Sequence, residues 1–297
     1  MNNLNFNSTI ICDGAMGTIL MKHGFKLGEC PESYNLKRPK LIEQIHREYL
    51  EAGAQIITTN TFGANAVNLE KYGYKPKEVI LKAIDIAKDA IKSFNKLNGD
   101  EKKLVALDLG PCAMLPPYGI MNFNEVYNLY KEQVICGFTA GVDLIIIETM
   151  LCIEEAKAAI LAAKEYSDLP IICSLTFTKE NTTMLGENIE NVVKMLEPLG
   201  IKCIGANCSM GPEGLILVAE EFKKYTKLPL IMQPNAGIPK KKNGEKIYEI
   251  TPYEFSDVLN KMLDIGVSVV GGCCGTNPEF IHVLKDSIES REKKKGP

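Results

Sequence analysis

Short apolar runs alternate with longer amphipathic stretches along almost the whole chain. The short runs have the length and composition of buried β-strands, and apolar residues recur with the helical period in the stretches between them. The eight predicted strands are residues 8–12, 54–59, 104–109, 144–147, 170–177, 201–206, 228–233 and 267–272. This alternation predicts a parallel sheet whose strands are connected by crossover helices.

The number of strand–helix units favours one closed architecture. Eight consecutive units predict a (β/α)8 barrel, an α/β fold, as a single domain over residues 1–290. The alternative is a doubly wound open sheet, but few open sheets have this many strands. Asn243-Gly244 predicts a hairpin turn after the seventh strand. Residues 291–297 are expected to form a charged, disordered tail.

Polar side chains occur where the predicted strands end. In a (β/α)8 barrel the chemistry takes place at the carboxyl ends of the strands. The polar residues at or just after these ends are Asp13, Asn60, Asp108, Glu148, Cys208, Asn235, Cys273 and Cys274. Because the strands were assigned from apolar periodicity alone, this coincidence independently supports a barrel with a functional mouth.

Three cysteines follow the sixth and eighth predicted strands, in residues 207–209 (Asn-Cys-Ser) and 271–276 (Gly-Gly-Cys-Cys-Gly-Thr). Thiolates bind zinc, and three protein ligands with one open position are typical of a catalytic zinc site. A disulfide between adjacent cysteines is strained. The sequence therefore predicts a zinc ion held by Cys208, Cys273 and Cys274, with room for one further ligand.

Other interpretations of the cysteines remain open. The chain has ten cysteines, and a single cysteine is more often a small buried hydrophobe than a ligand. That interpretation is preferred for Cys12, Cys136, Cys173 and Cys203, which lie in apolar surroundings. For the three strand-end cysteines the alternatives are a barrel with a purely structural zinc, or a vicinal-thiol redox protein without metal.

Composition and charge exclude several classes of protein. The apolar fraction of 45% is sufficient for a large core. The sequence has no long uninterrupted apolar run, so we do not predict a membrane span. A net charge of −3 argues against a nucleic-acid partner. Residues 1–8 lack the features of a secretory signal, so the cysteines indicate a reducing, cytoplasmic location. His23, His46 and His282 are expected to be surface residues rather than ligands.

Seven short motifs resemble, in order, those of the homocysteine S-methyltransferase family. They are Asp-Gly-Ala-Met-Gly-Thr at 13–18, Thr-Asn-Thr-Phe-Gly-Ala at 59–64, Gly-Pro at 110–111, Glu-Thr at 148–149, Gly-Ala-Asn-Cys-Ser at 205–209, Pro-Asn-Ala-Gly at 234–237 and Gly-Gly-Cys-Cys-Gly-Thr at 271–276. The resemblance runs from Thr9 to Ser290. Within the family it is strongest to the N-terminal, homocysteine-binding module of cobalamin-dependent methionine synthase.

The resemblance implies an enzyme that methylates the thiol of L-homocysteine to give methionine. It implies Zn²⁺ on Cys208, Cys273 and Cys274, with the homocysteine sulfur at the open position, and it makes these cysteines and Glu148 the expected catalytic residues. The residues expected to bind substrate are Asp13, Gly14, Ala15, Thr18, Glu148, Asn207 and Asn235.

The substrate-binding residues have separate implied roles. Glu148 and Asp13 match acidic positions near the ammonium group of homocysteine. The backbone amides of residues 14–18 suit the carboxylate group of homocysteine. Asn207 braces the rim, and Asn235 matches a position beside the metal, which it fills when substrate is absent. From sequence alone, Asp13 could equally be a turn residue and Asn235 a capping residue.

The methyl donor implied by the strongest resemblance is methylcobalamin. No histidine of the chain lies in the Asp-x-His-x-x-Gly context that supplies the cobalamin ligand, so the cofactor is expected on another domain or on a separate corrinoid protein. The alternative is a stand-alone methyltransferase that uses S-methylmethionine, S-adenosylmethionine or betaine. Betaine is the least favoured of these, because the chain has no Trp for an aromatic cage.

Overall fold

Eight parallel strands wind around a common axis in the computed structural model, which describes residues 4–26, 28–242 and 245–295. The strand order around the sheet is β1-β10-β7-β6-β5-β4-β3-β2. The strands are β1 (Ile10–Ile11), β2 (Ile56–Thr58), β3 (Leu104–Leu109), β4 (Leu144–Met150), β5 (Ile171–Leu175), β6 (Cys203–Asn207), β7 (Leu230–Gln233) and β10 (Val269–Val270). A separate antiparallel pair, β8 (Lys240–Lys242) and β9 (Glu245–Ile247), follows β7.

Helices connect the strands and cover the outside of the sheet. They are α1 (Gly17–Lys22), α2 (Tyr34–Lys37), α3 (Pro39–Glu51), α4 (Ala66–Glu70), α5 (Pro76–Asn98), α6 (Phe123–Thr139), α7 (Ile153–Tyr166), α8 (Ile189–Leu196), α9 (Pro212–Tyr225), α10 (Pro252–Ile265) and α11 (Pro278–Lys295). Short 3₁₀ turns lie at Pro31–Ser33 and Glu197–Leu199. None of the helices in the described ranges is long and apolar enough to cross a bilayer.

The sheet closes between its first and second strands. Cys12, just after β1, forms a parallel bridge with Ile56 of β2. The backbone N–H of Gln55 donates to the carbonyl of Ile11 at 2.7 Å, and that of Asp13 donates to the carbonyl of Ile56 at 3.0 Å. The predicted (β/α)8 barrel is therefore confirmed, and the open-sheet alternative is wrong.

The core has two layers that follow from the two faces of each strand. Side chains on the outer face pack against the helices, and those on the inner face fill the barrel. The inner layer consists of Ile10, Cys12, Ile56, Leu104, Ala106, Leu144, Ile146, Ile172, Cys203, Ile231 and Val269. Further along the strands, inward positions of the same faces are polar: Thr58, Asp108, Glu148, Ser174 and Gln233 lie two residues beyond the inner layer, and Asn207 lies four residues beyond Cys203. Because side chains alternate between the two faces of a strand, the barrel interior has an apolar layer and, at the carboxyl ends of the strands, a polar layer.

Several local predictions need correction or lie outside the described ranges. His46, predicted at the surface, is fully buried on α3, because the helix turns this position toward the core together with Ile42 and Ile45. The predicted tail is helical as far as Lys295, since α11 continues through it. Residues 296–297 and the predicted turn at Asn243-Gly244 lie outside the described residues.

Candidate metal centre

Three thiols from two strand ends meet at the mouth of the barrel. The Sγ atoms of Cys208, Cys273 and Cys274 all lie within 4.8 Å of one another, and those of Cys208 and Cys274 are 4.0 Å apart. A tetrahedral zinc site with Zn–S bonds of about 2.3 Å requires Sγ–Sγ distances of about 3.8 Å. The predicted convergence is confirmed, and the spacing is close to that of a bound ion.

Backbone hydrogen bonds join the three cysteines to the end of β7 and to the segment that follows it. Cys208 N–H donates to the carbonyl of Gln233 at 3.1 Å, and Cys273 N–H donates to that of Pro234 at 2.9 Å. Ala236 N–H donates to the carbonyl of Cys274 at 3.0 Å. The seventh barrel strand therefore fixes cysteines that come from its two neighbours in the sheet.

Cys208 itself has an uncommon backbone conformation. Its φ is 59° and that of Ser209 is 53°, both in the left-handed region that L-residues rarely occupy. Such residues cost about 1–3 kcal/mol each and persist where the surroundings fix them. Here Ser209 Oγ donates to the carbonyl of Phe177 at 2.7 Å. This strained turn directs the Cys208 side chain toward the cysteine pair.

The three thiols strongly shift one another's pKa values. Hydrogen bonds from Cys273 and Cys274 lower the pKa of Cys208 to about 3, since they stabilise its thiolate. The same cluster raises the pKa of Cys274 to about 12 and that of Cys273 well above its ordinary value, because a neighbouring thiolate already accepts their hydrogen bonds. Only a cation at the centre would allow all three to ionise together.

The Asn235 side chain lies next to the Cys208 thiol. Its side chain is 5% exposed, and its Oδ1 is buried without a hydrogen-bond partner in the described structure. Asn235 also stabilises the Cys208 thiolate. Three sulfurs and an unpaired amide oxygen form a donor set that suits zinc.

Two of the predicted acidic residues line the mouth beside this centre. Asp13 accepts from the backbone N–H of Thr58 at 2.8 Å, yet burial raises its pKa to about 7. Burial, Asp13 and Cys208 together raise the pKa of Glu148 to about 8. Both carboxyl groups are thus held where their charge is costly unless a cationic group binds between them.

Asn207 is engaged by its neighbours on every side. Its Oδ1 accepts from Thr149 N–H at 2.7 Å and from Ser174 Oγ at 2.8 Å, and its Nδ2 donates to Thr149 Oγ1 at 2.7 Å. The same Nδ2 lies 3.4 Å from Glu148 Oε2 and 3.9 Å from Cys273 Sγ. The side chain therefore joins the acidic wall to the metal centre.

The predicted turn at residues 13–18 packs directly on the cysteine loop. A Cβ added to Gly14 would lie 2.6 Å from Thr276 Oγ1 and 2.9 Å from the Tyr49 hydroxyl, so only glycine fits. Ala15 N–H donates to Thr276 Oγ1 at 3.2 Å, and Thr18 Oγ1 accepts from Gly275 N–H at 3.2 Å. The backbone amide of Ala15 is therefore already engaged within the protein.

Tyr248, which follows β9, is a residue of the site that the sequence does not predict. A Cβ on Gly275 would overlap the Tyr248 ring, so the ring lies directly on the loop of the cysteine pair. Burial and the charges of the three cysteines raise the pKa of the Tyr248 hydroxyl to about 12. No sequence signal identified this contact, because the hairpin that carries Tyr248 is an insertion outside the strand–helix repeat.

Comparison with known proteins finds relatives along almost the whole chain. The family model for homocysteine S-methyltransferase matches residues 10–288. The methionine synthases of Mycobacterium leprae and Mycobacterium tuberculosis are each 32% identical over 293 residues, which cover 94% of this chain and 24% of theirs. The chain therefore spans about a quarter of the length of these curated relatives.

Solved structures show the same fold. The metallated form of the homocysteine methyltransferase MmuM from Escherichia coli has a TM-score of 0.83 at 24% identity, covering 94% of this chain and 96% of that one. Its oxidized form has a TM-score of 0.81 at 25% identity, covering 94% and 95%. The barrel and its connections are thus those of a known architecture.

Proposed function

Because the chain belongs to the homocysteine S-methyltransferase family and is a methyltransferase, we propose that it methylates the thiol of L-homocysteine, giving methionine. The observation that carries this proposal is the convergence of Cys208, Cys273 and Cys274, whose Sγ atoms lie within 4.8 Å of one another. Residues 1–290 would act as one homocysteine-binding barrel. The three partly exposed thiols open toward the mouth, where a substrate can enter.

Zinc fits this donor set. Cys208, Cys273 and Cys274 would hold the ion, and Asn235 Oδ1 would take the fourth position until a substrate thiol replaces it. Bound zinc supplies a thiolate at neutral pH, where a free thiol is mostly protonated. With three thiolate ligands the site carries net negative charge, which keeps a fourth sulfur electron-rich.

The dimensions of the mouth suit a short amino acid. Asn207 Nδ2 is 3.4 Å from Glu148 Oε2 and 3.9 Å from Cys273 Sγ, so one side-chain nitrogen contacts both the carboxyl group and the sulfur cluster. Glu148 and Asp13 would bind the ammonium group while the substrate sulfur reaches the cysteines. The free backbone amides of the turn at 14–18, with Thr18, would receive the carboxylate.

The reaction is a displacement at a methyl carbon. The homocysteine thiolate attacks this carbon, the new S–C bond forms, and the bond to the donor breaks with its electron pair remaining on the donor. The residues of the chain contribute by positioning the substrate. With the ammonium and carboxylate groups of homocysteine bound, its sulfur can attack in one direction, toward the open mouth of the barrel.

The donor that we propose first is methylcobalamin, presented by another domain or by a separate corrinoid protein. Identity to the two mycobacterial methionine synthases supports this choice, since 94% of the chain aligns with them. The ten free cysteines fit a cytoplasmic location. Nucleic acid and membrane are not proposed as partners.

A second candidate is a stand-alone methyltransferase that uses a small donor such as S-methylmethionine, S-adenosylmethionine or betaine. The observation that favours it is the match to the homocysteine methyltransferase MmuM from Escherichia coli, since this chain covers 95% of the chain in that solved structure and only 24% of the methionine synthases.

One experiment separates these candidates. The purified protein is analysed for zinc, and homocysteine-dependent methionine formation is measured in parallel with methylcobalamin, S-methylmethionine, S-adenosylmethionine and betaine. Turnover with methylcobalamin alone supports the first candidate, and turnover with a small donor supports the second. A protein that contains zinc but forms no methionine with any donor would support the structural-zinc alternative, and a metal-free protein with a reducible disulfide would support the redox alternative.

A further inference from the structure

Asp108 is a buried carboxyl group in the barrel mouth that the proposed roles leave unused. It lies on β3, its side chain is 6% exposed, and its Oδ1 is buried without a hydrogen-bond partner among the described residues. The backbone of the same residue is fully engaged: its N–H donates to Thr59 Oγ1 at 3.2 Å, and its carbonyl accepts from Thr61 Oγ1 at 2.8 Å. Hydrogen bonds thus fix the backbone, while Oδ1 of the carboxyl group has no partner in the part of the chain that the structure describes.

The register of the sheet directs Asp108 toward the substrate site. Asp108 pairs with Ile146 on β4, and both positions share the inward face with Glu148, two residues further along. The charged groups that act on Asp108 are carboxylates, those of Glu148, Asp13 and Glu32. Burial, with a further contribution from the repulsion of these carboxylates, raises the pKa of Asp108 well above its ordinary value.

Few kinds of ligand can stabilise a buried carboxyl group that has other acids beside it. Glu32 is already occupied, since it accepts from Gly63 N–H at 2.7 Å and from the Cys30 thiol at 3.2 Å. A metal ion does not fit the remaining three, because the only set of three or more ligand atoms within 4.8 Å among the described residues is the cysteine trio. Carboxylates spaced more widely than metal ligands can still surround an organic cation, whose N–H groups point in several directions.

We propose that Asp108 binds the α-ammonium group of the substrate, and that with Glu148 it makes the site selective for thiols that carry this group. The inference rests on the proposed function, because it assumes that the thiol reaching the cysteines belongs to an amino acid. Asp108 is a substrate-binding residue, and it does not contact the reacting atoms.

The test compares two ligands that differ only in the ammonium group. Zinc-loaded protein is titrated calorimetrically with L-homocysteine and with 4-sulfanylbutanoate, its analogue without the α-amino group. For the wild type we expect homocysteine to bind more tightly. In Asp108→Asn, which keeps the shape but removes the charge, we expect the preference to fall about tenfold or more, because a charge-assisted hydrogen bond is lost. The affinity for 4-sulfanylbutanoate should remain unchanged.

The controls separate a binding role from a structural one. Asp85→Asn, an exposed position on α5, should keep the wild-type preference. Asp108→Asn should retain its zinc and melt no earlier than the wild type, since it removes a repelling buried charge. An unchanged preference in Asp108→Asn would overturn the role of Asp108 alone. A wild-type, zinc-loaded protein that does not bind homocysteine would instead overturn the proposed function, and this inference with it.

Discussion

The side-chain amide of Asn207 binds both polar groups of Thr149, donating to its Oγ1 and accepting from its backbone N–H, each at 2.7 Å. Thr149 has φ 59°, a left-handed conformation that a β-branched residue rarely adopts. The amide from β6 therefore holds a strained turn of the backbone inside β4, where the register with β5 shifts. Because Glu148 immediately precedes this turn, its carboxyl group is placed by a residue adjacent to the metal centre.

Replacing Asn207 should release this turn. In Asn207→Ala the Thr149 N–H loses its partner, and a buried donor left unpaired costs about 1–3 kcal/mol of unfolding free energy. We also expect the KM for homocysteine to rise more than kcat falls, since Glu148 is displaced. Urea denaturation and steady-state kinetics measure both effects. The control is Asn191→Ala at an exposed position on α8, which should change stability by less than about 0.5 kcal/mol. Equal effects in the two variants would contradict the bracing role.

The cysteine ligands can be tested by metal content. Cys208→Ala should lose zinc and activity while it keeps the wild-type circular dichroism spectrum, because the side chain lies at the barrel mouth and is partly exposed. Cys136→Ala, a buried cysteine on α6, should keep both. Metal analysis of the two purified variants provides the measurement. A Cys208→Ala protein that retained zinc and turnover would refute the ligand assignment.

Much of this architecture is visible in the sequence for a physical reason. An apolar run that ends in Asp108 or Glu148 must be a buried strand that reaches a site, since a carboxyl group is costly in a core. The same argument places Cys208 and the Cys273–Cys274 pair at the mouth. Motif order then identifies the family, because each motif occupies the end of a different strand.

The remaining features depend on contacts between distant residues, which periodicity does not encode. His46 occupies a helical position whose burial depends on what packs against α3. Tyr248 reaches the cysteine loop from a hairpin outside the repeat. The unpaired state of Asp108 is a property of all its neighbours together. These features follow from the three-dimensional structure and not from the sequence pattern.

The contact between Gly275 and Tyr248 predicts a large effect of a small substitution. Gly275→Ala should lower the unfolding free energy for two reasons. The φ of 87° is unfavourable for alanine, and the new Cβ would also overlap the Tyr248 ring. Gly73→Ala is the matched control: φ is 79°, but nothing lies within 4 Å of the added Cβ.

Thermal denaturation of three variants isolates the ring contact. We expect Gly275→Ala to lose about 1–3 kcal/mol more than Gly73→Ala. Adding Tyr248→Ala to Gly275→Ala should remove most of this excess, because the ring is then absent. An excess that persists in the double variant would show that the tyrosine does not cover the loop.

The thiol cluster predicts which disulfide forms when metal is removed. Cys208 is the expected nucleophile, because its neighbours lower its pKa to about 3, and its Sγ is 4.0 Å from that of Cys274. With the two-electron oxidant diamide, the zinc-free protein should form the Cys208–Cys274 bond before the strained Cys273–Cys274 bond. Peptide mapping by mass spectrometry identifies the pair, and zinc-loaded protein is the protected control. A Cys273–Cys274 bond formed first would favour the vicinal-thiol alternative.

His46 predicts an acid-dependent loss of stability. Burial lowers its pKa from 6.5 to about 4, and neither ring nitrogen has a hydrogen-bond partner among the described residues. Below pH 6.5 the unfolded chain therefore takes up a proton that the folded protein does not, so His46 reduces stability progressively as the pH falls from about 6.5 to about 4. The loss across this interval is about 3 kcal/mol.

The contribution of His46 can be separated from that of the acids by a difference measurement. Asp13 and Glu148 have raised pKa values of about 7 and about 8, so their effect has the opposite sign: stability falls as the pH rises toward those values. These acids are present in both the wild type and His46→Leu, and their contributions cancel when the two unfolding free energies are subtracted. We expect the wild type to lose about 3 kcal/mol relative to the variant between pH 6.5 and 4, with no further change above pH 7. A difference independent of pH would mean that His46 is protonated equally in the folded and unfolded chains, and hence that water reaches its ring.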